Sequence, residues 1–337
     1  MSAASPGSAE SVAGFARRSM GPAVTVNEVA GDASTRRFYR ASGGGTTAIV
    51  MAHGEPLATD APFFSNHRIL AAIGAPVPRI LDRDDPAGMV LVEDFGDLTL
   101  QRHLQEVGPT AAPEEYEAAA ALIILMQARA AGAMRPDDFA AANALDRDRF
   151  LFELDHFHKH YIVGLRGRSV EMDDERRLRD FYQELAEACD RLPRVYCHRD
   201  FQSRNLMVRR GGGLGLIDFQ DARMGPYCYD AASLLRDSSL DLEPGLVEAT
   251  LTRLASTSAA PLGTGPEEFR RDFDLMALER NIKDLGTFGY MATVRGRRDY
   301  LDYVPRTLEF VRRTLVADRR WHDAHVLFDR YVFDPRG

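Results

Sequence analysis

Lysine is nearly absent from this chain: Lys159 and Lys283 are the only two, so 40 of its 42 basic residues are arginine. Acidic residues outnumber basic ones 50 to 42, and no basic run is interleaved with aromatics. A phosphate backbone would find no electrostatic footprint here, so nucleic acid is not an expected partner. Cysteine is scarce as well. Cys189, Cys197 and Cys228 form an odd, widely spaced set without a CxxC pair, which offers no zinc framework and suits a reducing compartment. No segment approaches the roughly 18 uninterrupted apolar residues of a membrane span, and the opening stretch lacks the apolar core of a signal peptide. Neither export nor membrane insertion is expected, the cytoplasm is the expected location, and no obligate protein partner is indicated.

What is present is ample apolar material, 45% of 337 residues. That length exceeds the roughly 250 residues over which a single core usually grows, so two lobes are the default. Residues 1–8 are small and polar and are expected to be disordered. Glu10 to Met20 reads as a short helix. The runs VTVNEVA, RRFYRA and TAIVMA then alternate like an antiparallel meander, broken at Gly31–Ser34 and at Ser42–Gly45. A helical stripe over Phe63 to Ile73 ends at Gly74, and two more strands are expected near Arg79–Leu81 and Met89–Val92. Beyond residue 94 the pattern is mainly helical, with Ala255 to Gly265 reading as an exposed Ser/Thr/Gly/Pro-rich connector.

The stretch that organises the chain is Tyr196 to Asp221, YCHRDFQSRNLMVRRGGGLGLIDFQD. Arg194 to Cys197 is strand-like, Asn205 to Val208 is a short apolar return, glycines turn the chain, and Leu214 to Ile217 is a second strand ending on Asp218. Residues at strand ends can reach into a cleft while the strands hold them still. His-Arg-Asp, four residues, Asn, and then a further Asp-Phe is the phosphoryl-transfer constellation: one carboxylate meets the acceptor hydroxyl while an Asn and an Asp hold magnesium. Asp200 is therefore the expected proton acceptor. Asn205 and Asp218 are the expected oxygen ligands of Mg2+, a hard ion that keeps part of its water shell. His198 and Arg199 are expected to brace the loop, and Asp230 to be its structural partner rather than a ligand.

HRDFQSRNLM together with LIDFQDARMGPYCYDAASLLRD resembles the aminoglycoside-phosphotransferase-related branch of the protein-kinase-like fold. Within that branch it is most similar to the bacterial anomeric sugar kinases that phosphorylate N-acetylmuramate and N-acetylglucosamine at C1. GDASTRRFYR, GAPVPRILD, LVEDFGD and ERNIKDLGTFGY extend the resemblance from about Gly31 to Pro305. It implies a bilobal α+β fold: a small antiparallel-sheet lobe with one helix over residues 1–94, and a helical lobe carrying the catalytic loop and substrate site over residues 95–337. It implies ATP between the lobes, its adenine edge near Val92, Glu93 and Phe95, and Gly31 and Ser34 in a phosphate-covering turn. The implied acceptor is the anomeric hydroxyl of a cell-wall amino sugar being salvaged for peptidoglycan recycling.

The sequence departs from ordinary kinases at one place. The third strand ends Ala48-Ile49-Val50-Met51, where a lysine should grip the α- and β-phosphates, and the helix PFFSNHRIL lacks the acid that would pair with it. Loss of both members together points to a rewired site, with a non-catalytic nucleotide-binding scaffold as the alternative. Arg36, Arg37 and Arg40 follow the glycine turn, and strand alternation separates Arg36, Phe38 and Arg40 from Arg37 and Tyr39. Arg37 is the expected replacement, its planar fork holding phosphate oxygens. Arg204, Arg280 and Lys283 are the expected substrate contacts, suited to an anionic or neutral sugar better than to a polycationic aminoglycoside, with an aminoglycoside, choline or another small alcohol as the alternative acceptors.

Overall fold

The computed structural model of the chain describes residues 9–29, 36–108 and 112–333. The 1–8 segment and the turn holding Gly31 and Ser34 lie outside the described residues.

Helix α1 (Ala9–Met20) precedes a meander of β1 (Thr25–Val29), β2 (Arg37–Gly43) and β3 (Thr46–Ala52). Helix α2 (Pro62–Ala72) follows, then β4 (Ile80–Asp84) and β5 (Met89–Glu93). The five strands form one antiparallel sheet in the order β1-β2-β3-β5-β4. Gly44 and Gly45, with φ of 60° and 75°, supply the left-handed pair that a two-residue hairpin between β2 and β3 requires.

Alternation along the strands sorts the side chains to two faces. Tyr39, Ala41, Ala48, Val50, Ala52, Met89 and Leu91 pack under Val12 and Phe15 of α1. Met51, Val90 and Val92 face the other way and join a core that includes Phe63, Phe64, Ile69 and Leu70 of α2. The outer face of the sheet is thus closed by the N-terminal helix, and the inner face looks toward the rest of the chain.

Beyond Glu93 the chain is mostly helical. In order come α3 (Leu100–Val107), α4 (Ala112–Ala133), α5 (Phe139–Ala142), α6 (Arg147–Phe157), which runs on through a π-helical segment His158–Leu165, and α7 (Met172–Asp190). Two short hairpin-like pairs follow, β6 (Arg194–Cys197) with β9 (Arg223–Pro226) and β7 (Leu206–Val208) with β8 (Leu214–Leu216). Then come α8 (Tyr229–Leu235), α9 (Pro244–Leu254), α10 (Pro266–Thr293), α11 (Val304–Ala317) and α12 (His322–Phe328). The helix starts follow from local chemistry. Thr99 and Asp146 accept from the third-residue N–H groups of α3 and α6, and Pro occupies the first turn of α2, α9, α10 and α11.

Helix α10 is the spine of the helical part. A Cβ at Gly286 would meet the Phe157 backbone at 2.7 Å, and one at Gly289 the His160 carbonyl at 2.4 Å. Only glycine permits this approach of α10 to α6 and the π-helical segment. The region 255–262 folds into short helical turns rather than an open connector, because the end of α9 continues winding before the proline start of α10. All three cysteines are buried and free.

Candidate active site

The loop bearing Asp200 is held by a backbone tie that extends the β7–β8 pair and by side chains that reach across to β6. Ile217 N donates to Asn205 O at 3.1 Å, which seats the end of the Asn205 turn beside the strand that delivers Asp218. Arg199 (φ 77°) and Asp218 (φ 63°) both sit in the left-handed region without being glycine, backbone strain located at the two chemically important turns. The surroundings enforce it. Buried Asp230 accepts from His198 N at 2.7 Å and Arg199 N at 3.0 Å, and His198 Nε2 lies 3.0 Å from Ile217 O. Asp237, also buried, accepts from Ser203 N and Oγ at 2.9 and 2.6 Å. His198 and Asp230 brace the loop as the sequence led one to expect. Asp237 is a second brace that the residue pattern did not single out.

Asp200 stands where the loop opens to solvent. Lys283 Nζ, from α10, lies 3.6 Å from Asp200 Oδ1 and 4.0 Å from Asp284. Burial pushes the Asp200 carboxyl up, but the opposing field of Lys283, Arg199 and Arg280 outweighs it and holds the group well below the usual carboxylate range. Asp200 is therefore ionised throughout the physiological range, fit to orient a hydroxyl and accept its proton as it is lost. One of the chain's two lysines is thus brought to the Asp200 carboxylate.

The other expected substrate residues divide. Arg204 is half-buried, its Nε donating to Gln202 Oε1 at 2.9 Å. Arg280 is not in the cleft. It is 1% exposed and commits its guanidinium to Ser233 Oγ and Asp284 Oδ2, both at 2.6 Å, so it supports the loop from behind. Glu153 of α6 completes that support by accepting from Arg199 Nη2 at 2.8 Å and Arg149 Nε at 3.2 Å. Nothing in its local sequence marked Glu153; only the packing of α6 on the loop reveals it.

The phosphate-side arginines fall the opposite way from the expectation. Arg37 lies on the face closed by α1, 53% exposed, with Nε and Nη2 held by Glu28 at 3.0 and 2.8 Å. Arg36 instead reaches the inner side, donating to Asp218 Oδ1 at 2.9 Å and Gln220 Oε1 at 3.0 Å. Strand alternation separates the two arginines as expected, and α1, by covering the Tyr39 side, leaves Arg36 and not Arg37 on the inner face. Arg40 forks onto Asp94 at 2.7 and 3.0 Å, fastening β2 to the segment that leaves the sheet.

Met51, at the position of the missing lysine, is a buried core residue. Asn66 occupies α2 where an acid was absent. Its buried Nδ2 donates to Gln220 O and Ala222 O, both at 3.0 Å, and its Oδ1 accepts from Tyr196 OH at 3.3 Å. Phe63 stacks on Phe219 with centroids 5.2 Å apart. The helix is therefore linked to the segment after Asp218 by an amide and a ring pair, with no ion pair needed.

The donor set suits magnesium. Asn205 Nδ2 is committed to Asp200 O at 2.8 Å, which leaves its amide oxygen as the remaining polar atom, and Asp218 supplies a partly exposed carboxylate. Among the described residues no three His, Cys, Asp or Glu side chains cluster to hold a metal by themselves. A two-oxygen protein site completed by phosphate and water is the arrangement magnesium favours over zinc or calcium. Of the expected nucleotide contacts, Val92 is buried, Glu93 N donates to Arg79 O at 2.9 Å, and Phe95 packs so closely on β8 that a Cβ at Gly215 would lie 2.5 Å from its ring.

A carboxylate poised for a hydroxyl, an Asn–Asp oxygen pair and a small antiparallel sheet over a helical base define a phosphotransferase acting on a small-molecule alcohol. Residues 25–268 match the phosphotransferase enzyme family, and the chain belongs to that family. It is 34% identical over 292 residues to an N-acetylmuramate/N-acetylglucosamine kinase of Pseudomonas aeruginosa, covering 86% of this chain and 82% of that protein. To the protein of the same description from Neisseria meningitidis it is 31% identical over 305 residues, covering 89% and 87%. Among solved structures it is similar to a thermostable mutant of aminoglycoside phosphotransferase APH(4)-Ia in ternary complex with AMP-PNP and hygromycin B. There the TM-score is 0.58 at 17% identity, covering 90% of this chain and 98% of that one.

Proposed function

We propose that this chain transfers the γ-phosphoryl group of ATP to the anomeric hydroxyl of N-acetylglucosamine or N-acetylmuramate, feeding the salvage of cell-wall sugars in the cytoplasm. The observation that carries the reading is the Asp200–Lys283 pair at 3.6 Å beside the Asn205/Asp218 turn, and the two relatives described as amino-sugar kinases support the acceptor. A lysine at the acceptor carboxylate suits a neutral or anionic sugar, whereas a polycationic aminoglycoside would bring like charge against it.

In this reading Asp200 orients the C1 hydroxyl and takes its proton, and Lys283 keeps that carboxylate ionised. Asn205 and Asp218 would hold magnesium, which when bound neutralises charge on the β- and γ-phosphate oxygens. Arg36, already at Asp218, takes the place of the missing lysine as the protein's cation for the phosphates. Val92, Glu93 and Phe95 border the adenine, and Gly31 and Ser34 cover the phosphates. Arg204 lies toward the acceptor.

The test is turnover of ATP with magnesium against N-acetylglucosamine, N-acetylmuramate, kanamycin, choline and no acceptor, with the position of the product phosphate read by NMR. A C1 phosphate on the amino sugars, lost by about 10²–10⁴-fold in Asp200→Asn, supports the reading. Phosphorylation of kanamycin or choline with inert amino sugars overturns the acceptor, and nucleotide binding without turnover of any acceptor leaves the scaffold alternative.

A further inference from the structure

Asp284 follows Lys283 on α10 and uses only half of its carboxylate. Its Oδ2 accepts from Arg280 Nη1 at 2.6 Å, one helical turn back, which fixes the side chain in place. An ionised carboxylate has acceptor sites on both oxygens, yet Oδ1 has no hydrogen bond among the described residues. Lys283 Nζ lies 4.0 Å from Oδ1, and the same nitrogen lies 3.6 Å from Asp200 Oδ1. Both distances exceed a hydrogen bond of about 2.7–3.2 Å, and among the described residues the ammonium donates none. An open ammonium and an open carboxylate oxygen therefore stand beside Asp200. Side-chain exposure falls from 29% at Asp200 to 13% at Lys283 and 11% at Asp284, which makes Asp200 the outer and Asp284 the inner of two oxygens on one cation. Their separation is no greater than the two distances placed end to end. Two hydrogen bonds of about 2.8 Å, joined by donors on neighbouring carbons of a sugar ring that lie about as far apart again, span it.

We propose that Asp284 Oδ1 accepts a hydrogen bond from the donor on the sugar's second carbon, next to the reacting hydroxyl, and so fixes the ring against Asp200. This deepens the functional reading above and rests on it. In an N-acetylated amino sugar that donor is the amide N–H, and in glucose it is a hydroxyl. The third carbon would not serve both acceptors, because in N-acetylmuramate its oxygen is tied up in the lactyl ether and has no proton to give. The second carbon serves both. A sugar without a donor there would leave a nearly buried carboxylate oxygen shut off from water and unpaired, and that penalty is what selects against it. Lys283 keeps its place between the two carboxylates, so the contact that orients the ring and the contact that takes the proton share one cation.

The test uses 2-deoxyglucose, which keeps the anomeric hydroxyl and has no donor on its second carbon. With the unaltered protein, glucose should compete against N-acetylglucosamine about tenfold or more better than 2-deoxyglucose does, the worth of one hydrogen bond to a charged group. Asp284→Asn removes the acceptor with little change of shape. Arg280 holds the amide oxygen where it now holds Oδ2, so the amide NH2 takes the place of Oδ1. In this variant KM for N-acetylglucosamine should rise by about tenfold or more, while KM for ATP and the inhibition constant of 2-deoxyglucose stay within about twofold. An equal weakening of all three sugars would mean that Asp284 acts only by holding Arg280 and Lys283, and it overturns the contact while the kinase reading stands. An unchanged KM, or glucose competing no better than 2-deoxyglucose, overturns it as well. If the unaltered protein forms no C1 phosphate from N-acetylglucosamine, the kinase reading falls and the contact with it.

Discussion

Arg36 and Asp218 touch through a 2.9 Å hydrogen bond between Nη2 and Oδ1, joining the residue just before β2 to the carboxylate at the end of the catalytic stretch. In the proposed function the first group serves phosphate and the second metal, so a magnesium–nucleotide complex would part this pair. The pair keeps the arginine on the inner side of the sheet and limits the charge left on either group. Binding of a magnesium–nucleotide complex would exchange this contact for phosphate and metal contacts of the same sign.

Arg36→Ala should therefore raise KM for ATP and lower kcat/KM by about tenfold or more, the loss of one charge-assisted contact of roughly 1.5–3 kcal/mol. Arg37→Ala should leave ATP kinetics within about twofold, because surface pairs of this kind carry little energy. Steady-state kinetics on the two variants decides it. Equal effects, or a larger one at Arg37, would remove Arg36 from the phosphate site.

Lys283→Met should move the acidic limb of kcat/KM upward in pH. Lys283 heads the cations that depress the Asp200 carboxyl, so without it burial raises that carboxyl and the proton acceptor is lost at a higher pH. The unaltered protein should lose no activity to Asp200 protonation anywhere in the ordinary carboxylate range. A pH–rate profile unchanged by the substitution would show that the 3.6 Å contact does not govern the acceptor.

Asn66 offers a test of how α2 communicates with the Asp218 turn. In Asn66→Asp a carboxylate would face the carbonyls of Gln220 and Ala222, each now 3.0 Å from an amide donor. This change should lower stability by more than Asn66→Ala, which costs about 1–3 kcal/mol through groups left unpaired. Urea denaturation gives both values. If the aspartate variant is as stable as the native protein, the amide does not hold the turn.

Much of this architecture was legible because it rests on local signals. The strand runs, the helix stripe of α2 and the HRD…N…D spacing are read within a few residues of one another, and the structure places them at the expected strand ends. What was not legible depends on long-range contact. Which face of β2 looks inward is decided by α1, whose covering role is invisible in GFARRSM. Arg280 looked like a substrate cation because its segment faces the site, yet position 280 turns to the interior while Lys283 does not. Glu153, Asn66 and Asp237 carry no motif; each is defined by the group it meets across more than thirty residues of chain, the Arg199 guanidinium for Glu153 and backbone for the other two.

Glu279, one turn of α10 before Lys283, is fully buried, and neither of its carboxyl oxygens has a hydrogen-bond partner among the described residues. Burial, reinforced by the charge of Glu153, pushes its carboxyl well above the ordinary value, and Lys283 and Arg280 only partly oppose this. The folded protein thus keeps Glu279 protonated at a pH where the unfolded chain, titrating near 4.3, has already released the proton. Below that value both states are protonated and the group costs nothing. As pH rises above it, the unfolded state gains relative to the folded one until the folded carboxyl itself ionises. Glu279→Gln has nearly the same shape and no proton to lose. It should be more stable than the native protein at pH 8, and the advantage should shrink to nothing as pH falls toward 4. Chemical denaturation at a series of pH values measures the difference directly. An advantage that does not change with pH, or a glutamine variant that is weaker at pH 8, would mean that Glu279 is held ionised by the cations around the catalytic loop.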